Sequence, residues 1–500
     1  MEMLDAPFYA ILLPTGDIHH PGRQEKMQKR KVDVAIVGAG TAGLAARREA
    51  KKAGASVVLI EGGPYGTTCA RVGCMPSKLL IHSAEVAHEI STASSFGVEV
   101  QGRPRVNGRA VLERVRRERD RFVGFVLDSV DNIPKEEKVA GYARFDGPGT
   151  LLVDDHTRIE AGAIVVASGS SPWIPSNLSG LGDRLLISDD IFEFEDLPGS
   201  VAVVGMGVIG LELGQSLHRL GVDTLCLTPS SRVGPLSDPV IKKKTIEVFG
   251  RELNLHVGVQ DLETRLDGER VHLDWVNQDG SRQEATVDYV LGSAGRRPNL
   301  ARLDPAKATI PLDEHGLPTV EPGTAQIGDL PIFLAGDVSH YRTLLHEAAD
   351  EGRIAGHNAA RYPDVRAFVR RTLLSVVFSD PQIAVVGTPF SRLDPASITI
   401  GEVSYDDQGR SRVMGKNRGH VRIYAENERD TLLGAEMLGP RVEHTAHLLA
   451  WAVQQGLPVE GVLRMPFYHP VVEEGIRTAL RDLADKLKLE ETLEPRPMDR

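Results

Sequence analysis

The segment VDVAIVGAGTAG, residues 32–43, is an apolar strand that runs directly into three glycines. Gly38 suits the tight turn after such a strand, and Gly40 has no side chain to keep a pyrophosphate away from the backbone. Gly43 lets the following helix pack closely on the strand. The helix start presents unpaired N–H groups and a partial positive charge to phosphates. The segment therefore predicts a dinucleotide-binding unit.

The residues that follow complete this unit. Residues 44–53 have the apolar spacing of a helix, and residues 56–60 form a second apolar strand that ends at Glu61. A carboxylate at this position accepts hydrogen bonds from the hydroxyls of a ribose. Strand, glycine turn, helix, strand and acid therefore occur in the order that a dinucleotide-binding unit requires.

The same pattern occurs again later in the chain. Residues 201–204 form an apolar strand, and Gly205, Gly207 and Gly210 repeat the glycine spacing before a helix and a strand at 223–227. One such turn is weak evidence, but two copies in the same strand–turn–helix context are specific. We expect two bound dinucleotides, with hydride passing between their rings.

Composition limits the class of protein. The chain has 500 residues, of which 41% are hydrophobic and 25% charged, so we expect a globular protein of about two to four domains. Its formal net charge of −11 argues against nucleic-acid binding. No run of about 18 apolar residues predicts a membrane span. Three cysteines do not make a disulfide scaffold, and we predict a cytoplasmic protein.

Residues 1–30 differ from the rest of the chain. They open with acidic residues and contain only a short apolar run at 8–13, which fits neither a secretory signal nor a mitochondrial presequence. We predict a disordered extension. Met27 lies just before the first strand, which leaves a later translation start open.

Two cysteines lie close together in the segment CARVGCMPSK, residues 69–78. Cys69 and Cys74 flank a predicted helix start just after Glu61, where the first unit returns to its nucleotide. This spacing lets two sulfurs meet within disulfide geometry, and a helix start lowers thiol pKa values. We interpret the pair as redox-active rather than as two unrelated buried cysteines. Cys226 lies in an apolar strand and is assigned to the core.

A histidine and a glutamate lie five residues apart near the carboxyl end, in YHPVVEE, residues 468–474. A carboxylate at Glu474 can hold one imidazole nitrogen of His469 and favour general-base chemistry at the other nitrogen. The spacing alone also fits a structural histidine. The remaining histidines show no spacing typical of metal ligands, so no metal site is predicted.

In this order, the motifs resemble those of the class I pyridine nucleotide–disulfide oxidoreductases, the family that contains dihydrolipoamide dehydrogenase, glutathione reductase and mercuric reductase. The resemblance rests on the two glycine turns, CxxxxCxPSK, GRRPN at 295–299, AGD at 335–337 and HPVVEE at 469–474. It implies an α/β fold with two Rossmann-like dinucleotide-binding domains, one for FAD and one for NAD(P), and a C-terminal α+β dimerisation domain. It also implies a homodimer, in which the histidine of one subunit serves the disulfide of the other.

The resemblance divides the chain as follows. We expect a discontinuous FAD-binding domain at 31–160 and 290–365, an NAD(P)-binding domain at 161–289, and the dimerisation domain at 366–500.

The resemblance also implies roles for individual residues. Cys69 is the thiol that exchanges with substrate, and Cys74 is the thiolate that lies against the flavin. Lys78 lies near flavin N5 and pairs with Glu212, and His469–Glu474 is a catalytic pair. The implied FAD-binding residues are Gly38, Gly40, Gly43, Glu61, Lys78, Gly141, Ser168, Gly169, Gly336 and Asp337. The implied NAD(P)-binding residues are Gly205, Gly207, Gly210, Thr228 and Gly295.

Three positions depart from the family pattern. Thr228 stands where an NAD-selective unit carries an acid, and the arginine-rich pattern of NADP-selective relatives is also missing. Arg232 is weak evidence for NADP, and NAD is slightly favoured by its frequency in the family. Val471 replaces a usual threonine. Arg71, between the cysteines, either stabilises a thiolate or faces solvent.

Three functions remain in competition. The first is oxidation of a dihydrolipoyl dithiol, carried by a partner protein, through Cys69–Cys74 and FAD to NAD. The second is NADPH-dependent reduction of a small disulfide, which the missing acid at Thr228 motivates. The third is a flavoprotein subunit or redox sensor with low turnover.

Overall fold

A computed structural model describes residues 27–102 and 105–489. The strands are β1 (Gln28–Val37), β2 (Val57–Glu61), β3 (Lys138–Ala140), β4 (Ala143–Gly147), β5 (Thr150–Val153), β6 (Thr157–Val166), β7 (Ser170–Pro172), β8 (Leu185–Leu186), β9 (Ser200–Val204), β10 (Asp223–Thr228), β11 (Asn254–Val257), β12 (Gln260–Asp267), β13 (Arg270–Val276), β14 (Arg282–Val287), β15 (Tyr289–Gly292), β16 (Arg296–Pro298), β17 (Ile332–Leu334), β18 (Leu374–Val377), β19 (Gln382–Gly387), β20 (Ile398–Ser404), β21 (His420–Glu426) and β22 (Leu432–Gly439). The α-helices are α1 (Thr41–Lys52), α2 (Thr68–Arg71), α3 (Cys74–Thr92), α4 (Gly108–Asp131), α5 (Val208–Arg219), α6 (Pro239–Gly250), α7 (Leu345–Ala359), α8 (Gly409–Val413), α9 (Val442–Gln454), α10 (Val459–Leu463) and α11 (Glu474–Leu487).

The first sheet has the order β3-β2-β1-β6-β5-β4, and β17 also pairs with β6. β1 is parallel to β2 and β6, whereas β4, β5 and β6 form an antiparallel meander. Its central residues are fully buried because helices α1 and α7 cover one face and apolar residues of the segment 300–338 cover the other. Both helices begin at the carboxyl ends of strands, so their amino ends meet at one edge of the sheet.

β1 begins at Gln28, inside the segment 1–30 that we predicted to be a disordered extension. Gln28, Lys29 and Arg30 pair with Thr157–Ile159 of β6, so the strand begins four residues before the predicted Val32. The alternation of exposed and half-buried residues over this part hides the strand from a search for apolar runs. Residues 1–26 lie outside the described residues.

The second sheet is parallel, with the order β11-β10-β9-β15-β8. Helix α5 follows β9 as α1 follows β1, so the second glycine turn lies at the carboxyl edge of this sheet. A three-stranded antiparallel sheet, β12-β13-β14, and a two-stranded sheet, β7-β16, complete this part of the chain.

The C-terminal part contains an antiparallel sheet with the order β18-β19-β22-β21-β20. Helices α9 and α11 pack on this sheet and share a buried apolar core with it. The predicted fold class is therefore confirmed: two Rossmann-like units and a C-terminal α+β part. Among the described residues, no helix is long and apolar enough to cross a membrane.

Two predicted domain boundaries fall inside strands. Residue 160 lies within β6 and residue 290 lies within β15, and each strand stays in one sheet along its whole length. Because dividing a strand breaks its ladder of hydrogen bonds, we propose boundaries after Val166 and after Gly292 instead.

Candidate active site

The first glycine of each turn occupies a position that only glycine tolerates. Gly38 has a φ of +102°, and a Cβ there would lie 2.3 Å from the carbonyl oxygen of Ala167. Gly205 has a φ of +103°, and a Cβ there would lie 2.5 Å from the carbonyl oxygen of Ser293. A side chain at either position therefore meets both backbone strain and a steric clash.

The other glycines of the turns divide into two kinds. A Cβ on Gly43 or Gly210 would lie 1.9 Å from the carbonyl oxygen of the first glycine of its own turn. A Cβ on Gly40 or Gly207 would meet nothing within 4 Å. The last glycine of each turn thus allows close packing of the helix, whereas the middle glycine leaves space directly before the amino end of α1 or α5. A pyrophosphate fits in such a space.

One large cavity of about 1720 Å³ passes the first turn. Pockets for drug-sized ligands have volumes of about 300–1,000 Å³. This cavity is larger, and a dinucleotide is also a larger ligand. The predicted residues on its wall are Gly38, Gly40, Glu61, Cys69, Cys74, Lys78, Gly141, Ser168, Gly169, Glu212, Gly336 and Asp337. The structure therefore brings together the predicted FAD and cysteine residues, except that Gly43 packs behind the turn.

Glu61 closes the first unit at the end of β2. Its carboxylate accepts hydrogen bonds from the backbone N–H of Ala39 at 2.7 Å and of Gly63 at 2.8 Å. These bonds fix the carboxylate beside the glycine turn, where a ribose diol can reach it.

Asp337 is held by a serine and an arginine that the sequence did not single out as a group. Its Oδ2 accepts a hydrogen bond from the Ser170 hydroxyl at 2.6 Å. Arg296 in turn donates to Ser170 Oγ at 2.8 Å and to the Ser170 carbonyl at 2.7 Å. The bonds join the turn after β17 to the β7–β16 pair. Because the three residues come from distant segments, no spacing in the sequence indicates them.

The two cysteines lie on either side of a helix start. Cys69 is in the short helix α2, and Cys74 is the first residue of α3; both are free thiols. A hydrogen bond from the Cys69 thiol, supported by the positive charge of Lys78, lowers the pKa of Cys74 to about 7. The same bond, together with burial, raises the pKa of Cys69. Cys74 is therefore the thiol that ionises first.

Lys78 and Glu212 form the predicted pair. Lys78 Nζ lies 2.7 Å from Glu212 Oε2, and the glutamate is only 4% exposed. Glu212 Oε1 also accepts a hydrogen bond from the backbone N–H of Phe378 at 2.9 Å, and the Phe378 ring lies 4.9 Å from Lys78 Nζ. The charge of Lys78 is thus fixed by the Glu212 carboxylate and the Phe378 ring, and it acts on Cys74.

A charged cluster lies at the start of α7, and no pattern in the sequence indicates it. Arg370 donates to the buried carboxylates of Glu347 at 2.6 Å and Glu351 at 3.2 Å. Arg342 donates to Glu347 at 2.7 Å, and both guanidinium groups flank the ring of Tyr341. The two arginines and the tyrosine line the cavity. Burial raises the pKa of Glu351.

His469 and Glu474 form the predicted pair, but away from the cysteines of their own chain. His469 Nδ1 lies 3.0 Å from Glu474 Oε1, and the backbone N–H of Val471 donates to Oε2 at 3.2 Å. The hydrogen bond from His469 lowers the pKa of Glu474. The His469 side chain is 81% exposed and lines no part of the large cavity. Its free Nε2 therefore faces outward.

The predicted NAD(P) residues lie at the second glycine turn. Gly205, Gly207, Gly210, Thr228 and Gly295 are not on the wall of the large cavity. Thr228 ends β10 as predicted, and its buried hydroxyl accepts a hydrogen bond from the backbone N–H of Ser230 at 3.3 Å. Gly295 has a φ of +134° and open space at its Cβ position. Arg71, which the sequence left undecided, lines the large cavity.

One group of potential metal ligands is present in the described part of the chain. His272, Asp274 and Glu284 lie on adjacent strands with ligand atoms within 4.8 Å of one another. The sequence did not indicate this group, because it depends on the register of β13 and β14. Asp274 already has Arg265 as a counter-ion at 2.9 Å, and we assign the group no role.

Two family models match the chain: the pyridine nucleotide-disulphide oxidoreductase model over residues 32–352 and the dimerisation domain of these enzymes over residues 373–480. The chain belongs to this oxidoreductase family. As a member, it is an enzyme that uses FAD and NAD(P)H. The family resemblance indicated by the sequence motifs is thereby confirmed.

Curated relatives cover nearly the whole chain. Dihydrolipoyl dehydrogenase of Thermus scotoductus is 29% identical over 460 residues, which is 90% of this chain and 97% of the relative. The enzyme of the same name from Chlamydia trachomatis is also 29% identical, over 88% of this chain and 94% of the relative.

Solved structures show the same fold at lower identity. The HOCl-induced flavoprotein disulfide reductase RclA of Escherichia coli has a TM-score of 0.74 at 23% identity, covering 92% of this chain and all of RclA. LpdA of Mycobacterium tuberculosis has a TM-score of 0.76 at 23% identity, covering 91% of this chain and 99% of LpdA.

Proposed function

We propose that this oxidoreductase exchanges electrons between a dithiol and NAD(P) through Cys69 and Cys74, and that the dithiol is a dihydrolipoyl group on a partner protein. The observation that carries the proposal is the position of both cysteines beside the Lys78–Glu212 pair on the wall of the dinucleotide cavity. The dihydrolipoyl dehydrogenases that match over 90% and 88% of the chain support this substrate.

The exchange begins with the Cys69–Cys74 disulfide. A substrate thiolate attacks Cys69 Sγ, the Cys69–Cys74 bond breaks, and Cys74 leaves as a thiolate. A leaving thiol of low pKa departs faster, and the positive charge of Lys78, which lowers the pKa of Cys74, therefore favours this step. The second substrate thiol then attacks the mixed disulfide and releases Cys69. The substrate is now a disulfide, and the cysteine pair has gained two electrons.

The proton of the second substrate thiol requires a base. We assign this role to His469 of the partner subunit, whose Nε2 is left free by the hydrogen bond between Nδ1 and Glu474. When bound, FAD supplies the two-electron acceptor that connects the cysteine pair to the nicotinamide. Lys78, fixed by Glu212, holds its positive charge beside the Cys74 thiolate.

The proposed homodimer accounts for the position of His469 at the surface. His469 is 81% exposed, and large apolar side chains are exposed in the same C-terminal part, namely Leu448, Trp451 and Tyr468. The family's dimerisation domain covers this region. We propose that these side chains are covered by a second copy, which brings each His469 to the cysteines of the other chain.

A second candidate is reduction of a small disulfide at the expense of NADPH. It uses the same cysteines in the reverse direction. The observation that favours it is Thr228, which replaces the acid of an NAD-selective unit.

Rapid mixing tests the proposal. The oxidised holoenzyme is mixed with dihydrolipoamide, NADH or NADPH while flavin absorbance is followed, and a Cys69→Ser, Cys74→Ser variant is the control. Fast flavin reduction by dihydrolipoamide that the control lacks supports the dehydrogenase. Fast reduction by NADPH with inert dihydrolipoamide shifts the assignment to the reductase. Slow reduction by all three reagents refutes both and favours the low-turnover sensor.

A further inference from the structure

The second nucleotide site lacks the group that recognises an unphosphorylated ribose. In the first unit, the carboxylate of Glu61 stands at the end of the second strand, beside the glycine turn. In the second unit, the corresponding Thr228 is 3% exposed, and its hydroxyl is bonded to the backbone of Ser230. Residues 228–234 contain no carboxylate. The next acid, Asp238, is fully buried and paired with Arg422.

The loop after Thr228 is fixed against the glycine turn. The backbone N–H of Gly234 donates to the carbonyl of Met206, within the turn, at 2.8 Å. On the other side, the N–H of Gly258 donates to the carbonyl of Ser230 at 3.2 Å. The Ser230 hydroxyl accepts a hydrogen bond from the N–H of Arg232 at 3.1 Å. These bonds therefore fix the loop residues between them beside the second glycine turn.

The exposed side chains of this loop are donors without partners. Ser231 and Arg232 are exposed, and neither side chain makes an ion pair or hydrogen bond with another described residue. A guanidinium group and a hydroxyl are suited to a phosphate, which accepts several charge-assisted hydrogen bonds. An unphosphorylated ribose offers them no such charge.

We infer that the second unit selects a nicotinamide nucleotide with a 2′-phosphate, and that Arg232 and Ser231 bind this phosphate. The inference rests on the proposed function only in requiring that the second unit hold the nicotinamide nucleotide. It applies to both proposed directions of the reaction, because Ser231 and Arg232 are not on the wall of the cavity that contains the cysteines.

Binding of two nucleotide fragments tests the inference without any dithiol. ADP-ribose and 2′-phospho-ADP-ribose are titrated into the FAD-loaded enzyme by calorimetry. We expect the phosphorylated fragment to bind about tenfold or more tightly, as hydrogen bonds to a charged group allow. Equal affinity, or tighter binding of ADP-ribose, would overturn the inference.

Surface variants assign the residues. Arg232→Ala should weaken binding of the phosphorylated fragment about tenfold or more and leave ADP-ribose within about twofold. Arg251→Ala is the matched control; Arg251 is an exposed arginine directly after α6 that pairs with Glu247, and its replacement should change neither affinity. Equal weakening of both fragments by Arg232→Ala contradicts phosphate recognition by this residue. Failure of the proposed function appears separately, as absence of dithiol turnover with the nucleotide preference intact.

Discussion

Lys78 Nζ and Glu212 Oε2 lie 2.7 Å apart and join α3 of the first dinucleotide-binding unit to α5 of the second. The other oxygen of the same carboxylate binds the backbone of Phe378, at the end of the first strand of the C-terminal sheet. One buried carboxylate thus connects the three parts of the chain at the cysteines.

Replacing this carboxylate tests its structural role. Glu212→Gln keeps an acceptor for Phe378 but leaves Lys78 without its counter-charge. Because Lys78 is partly exposed, we expect a loss of only about 1–2 kcal/mol, or roughly 2–6 °C in the melting temperature of the holoenzyme, together with slower flavin reduction. Glu195→Gln, at an 87% exposed glutamate, is the control. Unchanged melting and reduction in Glu212→Gln would contradict this role.

The glycines of the first turn should respond differently to one added methyl group. Gly43→Ala places a Cβ 1.9 Å from a backbone oxygen and should prevent stable folding of the first unit. Gly40→Ala meets no protein atom, so the chain should fold and bind FAD about tenfold or more weakly, because the methyl group occupies the phosphate position. Gly207→Ala is the matched control in the second unit. Circular dichroism and flavin content after purification measure these outcomes, and normal flavin content in Gly40→Ala would refute the phosphate position.

The ionisation of Cys74 should depend on its neighbour. Its thiolate forms as pH rises through about 7, so alkylation of the reduced enzyme by iodoacetamide should rise over the same range. Cys69→Ala removes the hydrogen bond that stabilises the thiolate and should shift this rise to higher pH, lowering the rate at pH 7 about threefold or more. Cys69→Ser retains a donor and should shift it less. If the alkylation rate of Cys69→Ala has the same pH profile as that of the unaltered enzyme, the proposed hydrogen bond does not stabilise the thiolate. Cys226 is buried and should stay unlabelled throughout.

Shared sites in the proposed dimer can be tested by complementation. His469→Ala and Cys69→Ala should each be almost inactive alone. After mixing and refolding, every mixed dimer holds one site with both groups intact, so disulfide exchange activity should return. A mixture of His469→Ala and Glu474→Ala should regain no activity, because neither chain then carries an intact His469–Glu474 pair. Lack of recovery in the first mixture, with mixed dimers demonstrated by tagged chains, would rule out shared sites.

Motifs confined to one segment could be predicted from the sequence. The glycine turns, the cysteines around the start of α3 and the His469–Glu474 pair depend on short spacings and on strand–turn–helix order. The family resemblance added the Lys78–Glu212 pair, which spans two helices far apart in the chain and is present in the structure.

The rest of the site depends on the tertiary arrangement. The hydrogen bonds from Arg296 through Ser170 to Asp337 cross three segments, and the Arg370–Glu347 pair joins α7 to a loop before the C-terminal sheet. Strand pairing also determined where β1 begins, since its first residues are polar or charged and pair only with β6. No local pattern carries such information.

The two glycine turns agree in detail. Their first glycines have φ values of +102° and +103°, and their last glycines leave the same 1.9 Å between an added Cβ and a backbone oxygen. The same steric constraints therefore act on both turns. The residue at the end of the second strand is under no such constraint, since it is Glu61 in one unit and Thr228 in the other. Nucleotide preference could therefore be re-engineered at this residue without altering the turn that binds the pyrophosphate.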